Sequence, residues 1–495
     1  MTLDPGRLLN ERVEEHPHKV ALVAKNERVD FLTLSRRVNR LAHVLCEAGI
    51  KRNDKVGILL PNAPEFVVAY LAVQRVGGVA MPLDMKFLQR DCDEMLDFAD
   101  SPLLITSPSA EVSASVRRPV VTVEKEQVRF KGEILDPPDS DLGLERSPED
   151  EAACLYTSGS TGQPKLAVLT FENLSCFPRV LRDIYATPPG EVCGMLLPMS
   201  HVSGPIAIQE LVENGTTLVI FDLMTERRGI LRSLQENKVS LVWGVMPIYQ
   251  LLIHEAKLRE FDTRGLRLLA VMGMETPVSF LRELSKVFPH TAVVQGYGLT
   301  ETTGAVIGTP PAEFRRKMES IGRPASFMEV RVVDPEGRPL PPKQYGDIVM
   351  RGPAVMKGYY RDEAATRERI RDGWLYTGDL GYLDEEGYLY LLGRTDDMII
   401  TGGLNVFPGE VEDVIRRHPK VKDVAVVGIP DPRRGAIVKA FVVPSSETTK
   451  EEILKHCRAN LPGFKCPRII ELREELPMTS SGKISRSALR RAGRS

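Results

Sequence analysis

Short apolar runs alternate with amphipathic stretches through the first 330 or so positions of the chain. Residues 56–60, 241–245 and 292–294 are apolar runs that predict buried strands. Residues 64–76 have the apolar content and the leading proline of a helix that begins at Pro64. Strands and helices in alternation are typical of layered α/β domains.

The pattern changes near position 330, where proline and glycine become frequent. Residues 347–350 predict a short strand, and residues 334–337 (DPEG) predict a turn before it. Short strands between turns indicate a small β-rich region. We expect it to complete a large N-terminal domain that spans residues 1–393.

A second compact α/β pattern follows position 394. Residues 408–418 predict a helix, because its apolar residues recur on one face. Residues 424–429 and 437–443 predict strands, and residues 451–461 predict another helix. About 100 residues are enough for a small domain. We therefore predict an α/β fold with a hinge at 394–397 and a C-terminal domain at 398–495.

Bulk composition narrows the class of protein. The chain has 495 residues, of which 42% are hydrophobic and 27% charged, and its net charge of −2 gives no case for nucleic acid. Seven scattered cysteines without a CxxC pair indicate reduced thiols rather than disulfides or zinc. We expect neither a secretory signal nor a transmembrane segment, and hence a cytoplasmic protein.

The segment YTSGSTGQPK, residues 156–165, combines two glycines, four hydroxyl residues and one lysine. Apolar strand-like residues flank it on both sides. Backbone N–H groups of a glycine-rich loop bind phosphate oxygens, and hydroxyls and a lysine add donors and charge. Its spacing differs from that of the Walker loop, in which lysine follows the glycine directly. An ordinary surface turn is the alternative interpretation.

The segment QGYGLTETT, residues 295–303, follows a predicted strand. Its glycines suggest a dinucleotide site, but Glu301 stands where the third glycine would be needed. Thr300 and Glu301 instead suit Mg²⁺ on a triphosphate, because carboxylate oxygens are ligands for this hard cation. Tyr297 offers a ring on which a base can stack. The alternative is a turn that ends a strand.

Three further segments carry candidate residues. In YTGDL, Asp379 follows a glycine turn and could accept both ribose hydroxyls, although turn aspartates are common. In GRTDDMIITGG, Arg394 could reach a nucleotide or could belong to a solvated linker. In TSSGKISRSAL, Lys483 could serve an anionic transition state or could belong to a basic tail. His201, beside apolar residues, could be structural.

Taken together and in this order, these segments resemble the adenylate-forming superfamily of acyl- and aryl-CoA synthetases, luciferases and peptide-synthetase adenylation domains. Five motifs match with the family's spacing, and the resemblance covers nearly the whole chain. It implies a large N-terminal domain and a small C-terminal domain that rotates. It also implies that a carboxylate attacks the α-phosphate of ATP, and that a thiol then displaces AMP.

The resemblance implies a role for each matching residue. Thr300 would contact the α-phosphate, Glu301 would hold Mg²⁺, and Lys483 would touch the carboxylate and the α-phosphate. Asp396 would be the hinge, and His201 would lie near the acyl group. The residues implied in binding ATP or coenzyme A are Thr157, Ser158, Gly159, Ser160, Thr161, Gly162, Lys165, Gly273, Met274, Glu275, Gln295, Gly296, Tyr297, Gly298, Asp379, Arg394, Gly402 and Gly403. The last two glycines would line the narrow pantetheine tunnel.

The sequence constrains the thiol that accepts the acyl group and the carboxylic acid substrate less closely. A free-standing enzyme of this family most often uses coenzyme A, and a separate acyl-carrier protein is the alternative. The expected acyl lining, at 201–204, 243–246, 273–274 and 306–307, contains no Lys or Arg. We therefore expect a fatty monocarboxylic acid, with an aryl acid as the alternative. The sequence leaves homo-oligomerisation open.

Overall fold

The computed structural model describes residues 3–25, 27–85, 89–108, 116–157, 165–221, 227–253, 260–273, 276–478 and 484–493. Within these ranges no helix is long and apolar enough to cross a membrane. The helices are α1 Pro5–Glu15, α2 Phe31–Glu47, α3 Pro64–Arg75, α4 Gln89–Phe98, α5 Phe171–Asp183, α6 Ser203–Asn214, α7 Arg227–Glu236, α8 Met246–Ile253, α9 Val278–Val287, α10 Glu363–Arg369, α11 Pro408–Arg416, α12 Lys450–Asn460 and α13 Arg486–Ala492.

The strands are β1 Val20–Ala24, β2 Glu27–Asp30, β3 Lys55–Leu59, β4 Val79–Pro82, β5 Leu104–Thr106, β6 Val120–Glu124, β7 Gln127–Phe130, β8 Glu133–Leu135, β9 Glu151–Thr157, β10 Lys165–Thr170, β11 Val192–Met195, β12 Thr217–Ile220, β13 Leu241–Gly244, β14 Leu268–Met272, β15 Ala292–Leu299, β16 Gly304–Gly308, β17 Arg323–Pro324, β18 Glu329–Val333, β19 Gly346–Arg351, β20 Gly358–Tyr359, β21 Ile370–Arg371, β22 Trp374–Leu383, β23 Leu389–Arg394, β24 Ile399–Thr401, β25 Leu404–Val406, β26 Val421–Asp431, β27 Gly435–Pro444 and β28 Ile469–Leu472.

The chain packs as two compact units. The first contains Met1–Glu329 and Met350–Leu375, and the second contains Val330–Val349 and Tyr376–Ser495. These units record which residues pack densely together, whereas the predicted hinge at 394–397 concerns motion. The hinge therefore stays a prediction.

The first unit is built on two nine-stranded sheets. Their strand orders are β17-β16-β15-β14-β13-β11-β12-β1-β2 and β20-β10-β9-β4-β3-β5-β6-β7-β8. In the first sheet the six neighbouring strands β15, β14, β13, β11, β12 and β1 are parallel to one another. The next strand, β2, pairs with β1 in the antiparallel direction. Nearly all residues of helix α3 are buried, and most of them are apolar, as expected of a helix that packs inside a layered fold. The layered α/β prediction is confirmed.

In the second unit, β25-β24-β27-β26 form one sheet, with β28 paired to β27. Helices α11 and α12 contribute Val411, Ile415 and Ile453 to its core. Helix α12 begins at a capping box in which Thr449 and Glu452 satisfy each other's backbone N–H groups. A separate sheet of the chain has the order β18-β19-β22-β21, with β23 paired to β22, and its strand β21 belongs to the first unit. The prediction of a small C-terminal α/β fold and a β-rich region before it is confirmed.

Candidate active site

The predicted phosphate loop is flanked by two antiparallel strands. Thr157 at the end of β9 lies directly opposite Lys165 at the start of β10. The two strands are largely buried, as the flanking sequence predicted. Ser158, Gly159, Ser160, Thr161 and Gly162 lie outside the described residues. The structure thus fixes the two ends of the loop next to each other at the end of a hairpin.

Lys165 sits over an aromatic ring that the sequence analysis did not identify. Its Nζ atom lies 5.2 Å from the ring centroid of Tyr359. Tyr359 belongs to β20, which pairs with β10 through Ala167. Lys165 and Ala167 are two residues apart on a strand, so their side chains lie on the same face of the sheet. Tyr359 is the direct partner of Ala167 and therefore presents its ring on that face too. This register explains how the ammonium group reaches the ring.

Residues 295–298 lie in the second half of β15, which ends at Leu299. The side chain of Gln295 is buried, and its Nε2 donates to the carbonyl of Met318 at 3.3 Å. A Cβ atom on Gly298 would lie 1.8 Å from the carbonyl oxygen of Gly304, so only glycine fits there. Gly296 is also confined, and Tyr297 pairs with Ile307 of β16. Close packing of β15 and β16 therefore fixes the segment that leads to Thr300.

Thr300 and Glu301 lie in a single 3₁₀ turn, Thr300–Thr302, that directly follows β15. The carboxylate of Glu301 is buried, and its Oε1 accepts a hydrogen bond of 2.7 Å from the Tyr359 hydroxyl. The Glu301 carbonyl accepts from the N–H of Met356 at 2.9 Å. Both contacts hold the acid in place at the end of β15.

These contacts are compatible with a Mg²⁺ ligand. Among the described residues only Tyr359 donates to the Glu301 carboxylate, which leaves Oε2 available. The described part of the chain has no group of three or more acids, histidines or cysteines that could enclose a metal. Mg²⁺ is commonly held by one or two carboxylates together with substrate phosphates and water, so one fixed carboxylate fits this cation.

Two more predicted residues lie in the first unit. His201 precedes α6, is partly exposed, and its Nε2 lies 3.7 Å from Oδ2 of Asp84. Gly273 follows β14 with φ of +80°. Met274 and Glu275, the next two predicted residues, lie outside the described residues. No sequence signal selected Asp84, because an acid after a short strand is common in loops.

In the second unit, Asp379 and Arg394 form an ion pair. They are direct partners in the antiparallel ladder of β22 and β23, and Arg394 Nη1 lies 3.0 Å from Asp379 Oδ1. The Asp379 N–H donates to the hydroxyl of Thr377 at 3.1 Å, which in turn donates to the carbonyl of Ile348. The sequence selected both residues separately, and the ladder brings them together.

The predicted hinge residue Asp396 lies in a 3₁₀ turn, Thr395–Asp397. Its carbonyl accepts a hydrogen bond of 3.0 Å from Arg490 Nη2 on α13, and Asp397 pairs with Arg490 and Arg486. Arg486 also donates two hydrogen bonds, of 2.8 and 2.9 Å, to the buried carboxylate of Glu412. The hinge turn is thus tied to α13.

Lys483 lies outside the described residues, but both ends of its segment are described. Met478 and Ile484 form an isolated antiparallel bridge. The N–H of Ser485 donates to the carbonyl of Pro477 at 2.7 Å. The two ends of the segment that contains Lys483 are therefore paired with each other. Ile484, at one of these ends, follows Lys483 directly.

Gly402 and Gly403 form the two-residue turn between β24 and β25. Their φ angles are +59° and +80°, which suits a primed hairpin turn. Thr401 pairs with Leu404 across the turn, and the Gly402 N–H donates to the carbonyl of Arg434 at 2.8 Å. No heavy atom lies within 4 Å of a Cβ added at either glycine. The space beside the turn is open in the described part of the chain.

Comparison with known proteins adds the family. The model of the AMP-binding enzyme family matches residues 9–360, and the model of the AMP-binding enzyme C-terminal domain matches residues 410–483. The chain is 35% identical over 489 residues to the feruloyl-CoA synthase of Amycolatopsis sp, with 97% of each protein covered. It is 32% identical over 491 residues to a 2-succinylbenzoate–CoA ligase of Bacillus cereus, again with 97% of each covered.

A solved structure agrees with this assignment. ATP-bound MatB from Rhodopseudomonas palustris superposes with a TM-score of 0.90 at 30% identity, and 99% of each chain is covered. The relatives named as CoA synthase and CoA ligase support coenzyme A as a substrate, and the ATP-bound solved structure supports ATP. The chain therefore belongs to the AMP-binding enzyme family and, within it, is an AMP-forming acid–CoA ligase.

Proposed function

We propose that the chain is an aryl-acid–CoA ligase. The observation that carries this proposal is the 35% identity to a feruloyl-CoA synthase over 97% of both chains. The 2-succinylbenzoate–CoA ligase also acts, by its name, on an acid with an aromatic ring. The fatty acid that we expected from the sequence finds no comparable support among these relatives. The aryl alternative is therefore the better one.

The proposed reaction has two steps. A carboxylate oxygen of the acid attacks the α-phosphorus of ATP, and pyrophosphate leaves, which gives an acyl-adenylate. The thiol sulfur of coenzyme A then attacks the acyl carbon, and AMP leaves with the original carboxylate oxygen. Both reactants of the first step are anions, so the enzyme must neutralise charge and align the two groups.

In the first unit, Lys165 and the loop that begins at Thr157 would bind the β- and γ-phosphates. Thr300 would contact the α-phosphate, and Glu301 would hold Mg²⁺ through its available oxygen. When bound, this cation supplies positive charge beside the phosphate oxygens. The support is the pairing of Thr157 with Lys165 and the fixed position of Glu301 after β15.

In the second unit, Asp379 would accept the ribose hydroxyls, and Arg394 would orient it through their ion pair. Lys483 would donate to the carboxylate and to the α-phosphate during the first step. Gly402 and Gly403 would border the pantetheine arm of coenzyme A, which the open space beside their turn supports.

The hinge proposal rests on the need for two arrangements of the predicted C-terminal domain, residues 398–495. Lys483 and a coenzyme A tunnel would approach the same acyl carbon, so one arrangement cannot serve both steps. We propose Asp396 as the pivot, because it lies in the short turn after Arg394 and the chain there must absorb the change in φ and ψ. The contacts of its carbonyl and of Asp397 with α13 would then carry the Lys483 segment along.

The experiment that tests acid specificity is a substrate panel. We expect ferulic, 4-coumaric, benzoic or 2-succinylbenzoic acid to give kcat/KM for AMP release at least about tenfold above that of octanoic, palmitic or malonic acid, since pocket shape discriminates by such factors. A fatty acid that exceeds every aryl acid would refute the proposal. The same panel with an acyl-carrier protein in place of coenzyme A tests the alternative acceptor.

A further inference from the structure

Tyr359 stands at the centre of a cluster that joins two predicted ATP-binding segments. The residue is nearly buried, and its N–H donates to the Thr366 hydroxyl at 2.8 Å, which fixes its backbone. Its ring lies under the ammonium group of Lys165, with 5.2 Å between Nζ and the ring centroid. Its hydroxyl donates to Glu301 Oε1 at 2.7 Å. All of these residues belong to the first unit.

The phenol is held as a hydrogen-bond donor. Burial raises the pKa of Tyr359 above its ordinary value, and the negative charge of Glu301 raises this pKa further. The guanidinium of Arg369 on α10 opposes the shift through its charge and a hydrogen bond to the phenol. A tyrosine hydroxyl carries its proton at neutral pH, and the 2.7 Å contact shows that this hydroxyl donates to Glu301 Oε1.

We propose that Tyr359 is a positioning residue for the adenylation step. Its hydroxyl engages one oxygen of Glu301, so that the other oxygen would be the one to hold the cation. Its ring holds the Lys165 ammonium beside the phosphates through a cation–π contact. One side chain thus sets the relative positions of a lysine and a carboxylate that are 136 positions apart in the sequence. The inference rests on the proposed binding of Mg²⁺ by Glu301.

Two substitutions separate the functions of the hydroxyl and the ring. Tyr359→Phe removes the hydroxyl and retains the ring, so we expect the Mg²⁺ concentration for half-maximal ATP–pyrophosphate exchange to rise by about three- to tenfold, as for the loss of one hydrogen bond. Saturating Mg²⁺ should restore the rate. Tyr359→Leu also removes the ring, so the KM for ATP should rise as well because Lys165 loses its support.

A binding measurement supplies a readout that does not depend on turnover. Mn²⁺ affinity in the presence of a non-hydrolysable ATP analogue, followed by electron paramagnetic resonance, should fall for Tyr359→Phe by the same factor as the Mg²⁺ dependence. The melting temperature should stay close to that of the parent. Tyr360→Phe is the matched control: its ring lies 4.9 Å from Lys55 Nζ, and we expect no change in metal dependence.

The outcomes distinguish this inference from the proposed function. If Glu301→Gln weakens Mn²⁺ binding and Tyr359→Phe does not, Tyr359 has no positioning function and the inference is wrong. If Glu301→Gln leaves Mn²⁺ binding unchanged, the proposed metal ligand itself is wrong. Tyr359→Phe could also lose rate even at saturating Mg²⁺ and show a lower melting temperature at the same time. That result would assign the residue a structural function and overturn the inference.

Discussion

Asp379 and Arg394 face each other across two antiparallel strands, with 3.0 Å between Oδ1 and Nη1. We predict that Asp379→Asn raises the KM for ATP by about 10- to 100-fold, since a hydrogen bond to a charged group contributes about 1.5–3 kcal/mol. Folding should change little although Asp379 is buried, because asparagine keeps the shape of aspartate and the Arg394 side chain, which is 40% exposed, can be hydrated without its partner. Steady-state kinetics and a melting curve measure both quantities.

Arg338→Gln is the control for this prediction. Arg338 pairs with Asp334 at 2.7 Å in the same unit, but the arginine is largely exposed and no nucleotide function is proposed for it. Its KM for ATP should equal that of the parent. An unchanged KM in Asp379→Asn would remove Asp379 from the ribose site.

Lys483→Ala should slow adenylation by about 10²–10³, the range found when a preorganised donor to a developing charge is removed. Thioester formation from supplied acyl-adenylate should persist, since that step would use the other arrangement of the C-terminal domain at 398–495. Rapid-quench assays of each half-reaction measure this difference. Equal losses in both half-reactions would contradict the assigned function.

Gly402→Leu should leave acyl-adenylate formation intact and slow the coenzyme A step by about a hundredfold, because a side chain beside the turn would displace the thiol arm. A non-glycine residue at φ of +59° also carries strain of about 1 kcal/mol. Single-turnover measurements of both steps and a melting curve separate the two effects.

Gly387→Leu provides the matched strain control. Gly387 lies in another turn of the second unit with φ of +78°, and no heavy atom lies within 4 Å of an added Cβ. Its melting temperature should fall as far as that of Gly402→Leu, with both half-reactions retained. If the two variants behave alike in both steps, Gly402 is a turn residue and the tunnel assignment is wrong.

Glu210 should give the enzyme a pH-dependent stability. Burial raises its pKa from 4.5 to about 7, against hydrogen bonds from Thr216 and Asn214 that lower it. Between these values the folded chain holds a proton that the unfolded chain releases. The free energy of unfolding therefore falls as pH rises through this window, by up to about 1.4 kcal/mol per pH unit.

Glu210→Gln removes this titration, so its free energy of unfolding should decline less than that of the parent between pH 4.5 and about pH 7, the limits of the window. Urea unfolding at several pH values measures the difference. Glu283→Gln, at an exposed position on α9, should follow the parent. An identical pH dependence in Glu210→Gln and the parent would show that Glu210 is not the group responsible.

Much of the fold could be predicted from local patterns. The helix that begins at Pro64 and the strand at 437–443 lie within one or two residues of their predicted bounds at most ends, because apolar periodicity reflects burial directly. The strand at 292–294 is longer than predicted, since β15 continues to Leu299. Its last residues are glycine-rich and polar, and their pairing with β16 depends on tertiary contact.

The candidate site was predicted residue by residue but not as an arrangement. Glycine, hydroxyl and acidic residues at family spacing selected Thr300, Glu301 and Asp379. Tyr359 carried no such signal, because an aromatic residue in the segment GYYRD is equally compatible with simple burial. Its importance depends on the register of β20 against β10, which no local pattern encodes.

The path of one oxygen atom tests the central claim most directly. An aryl acid labelled with a heavy oxygen isotope in its carboxylate is converted to its coenzyme A thioester, and the isotope content of the released products is measured by mass spectrometry. Attack of the carboxylate on the α-phosphorus predicts one labelled oxygen in AMP and none in pyrophosphate. Labelled inorganic phosphate, or formation of ADP in place of AMP, would contradict the account.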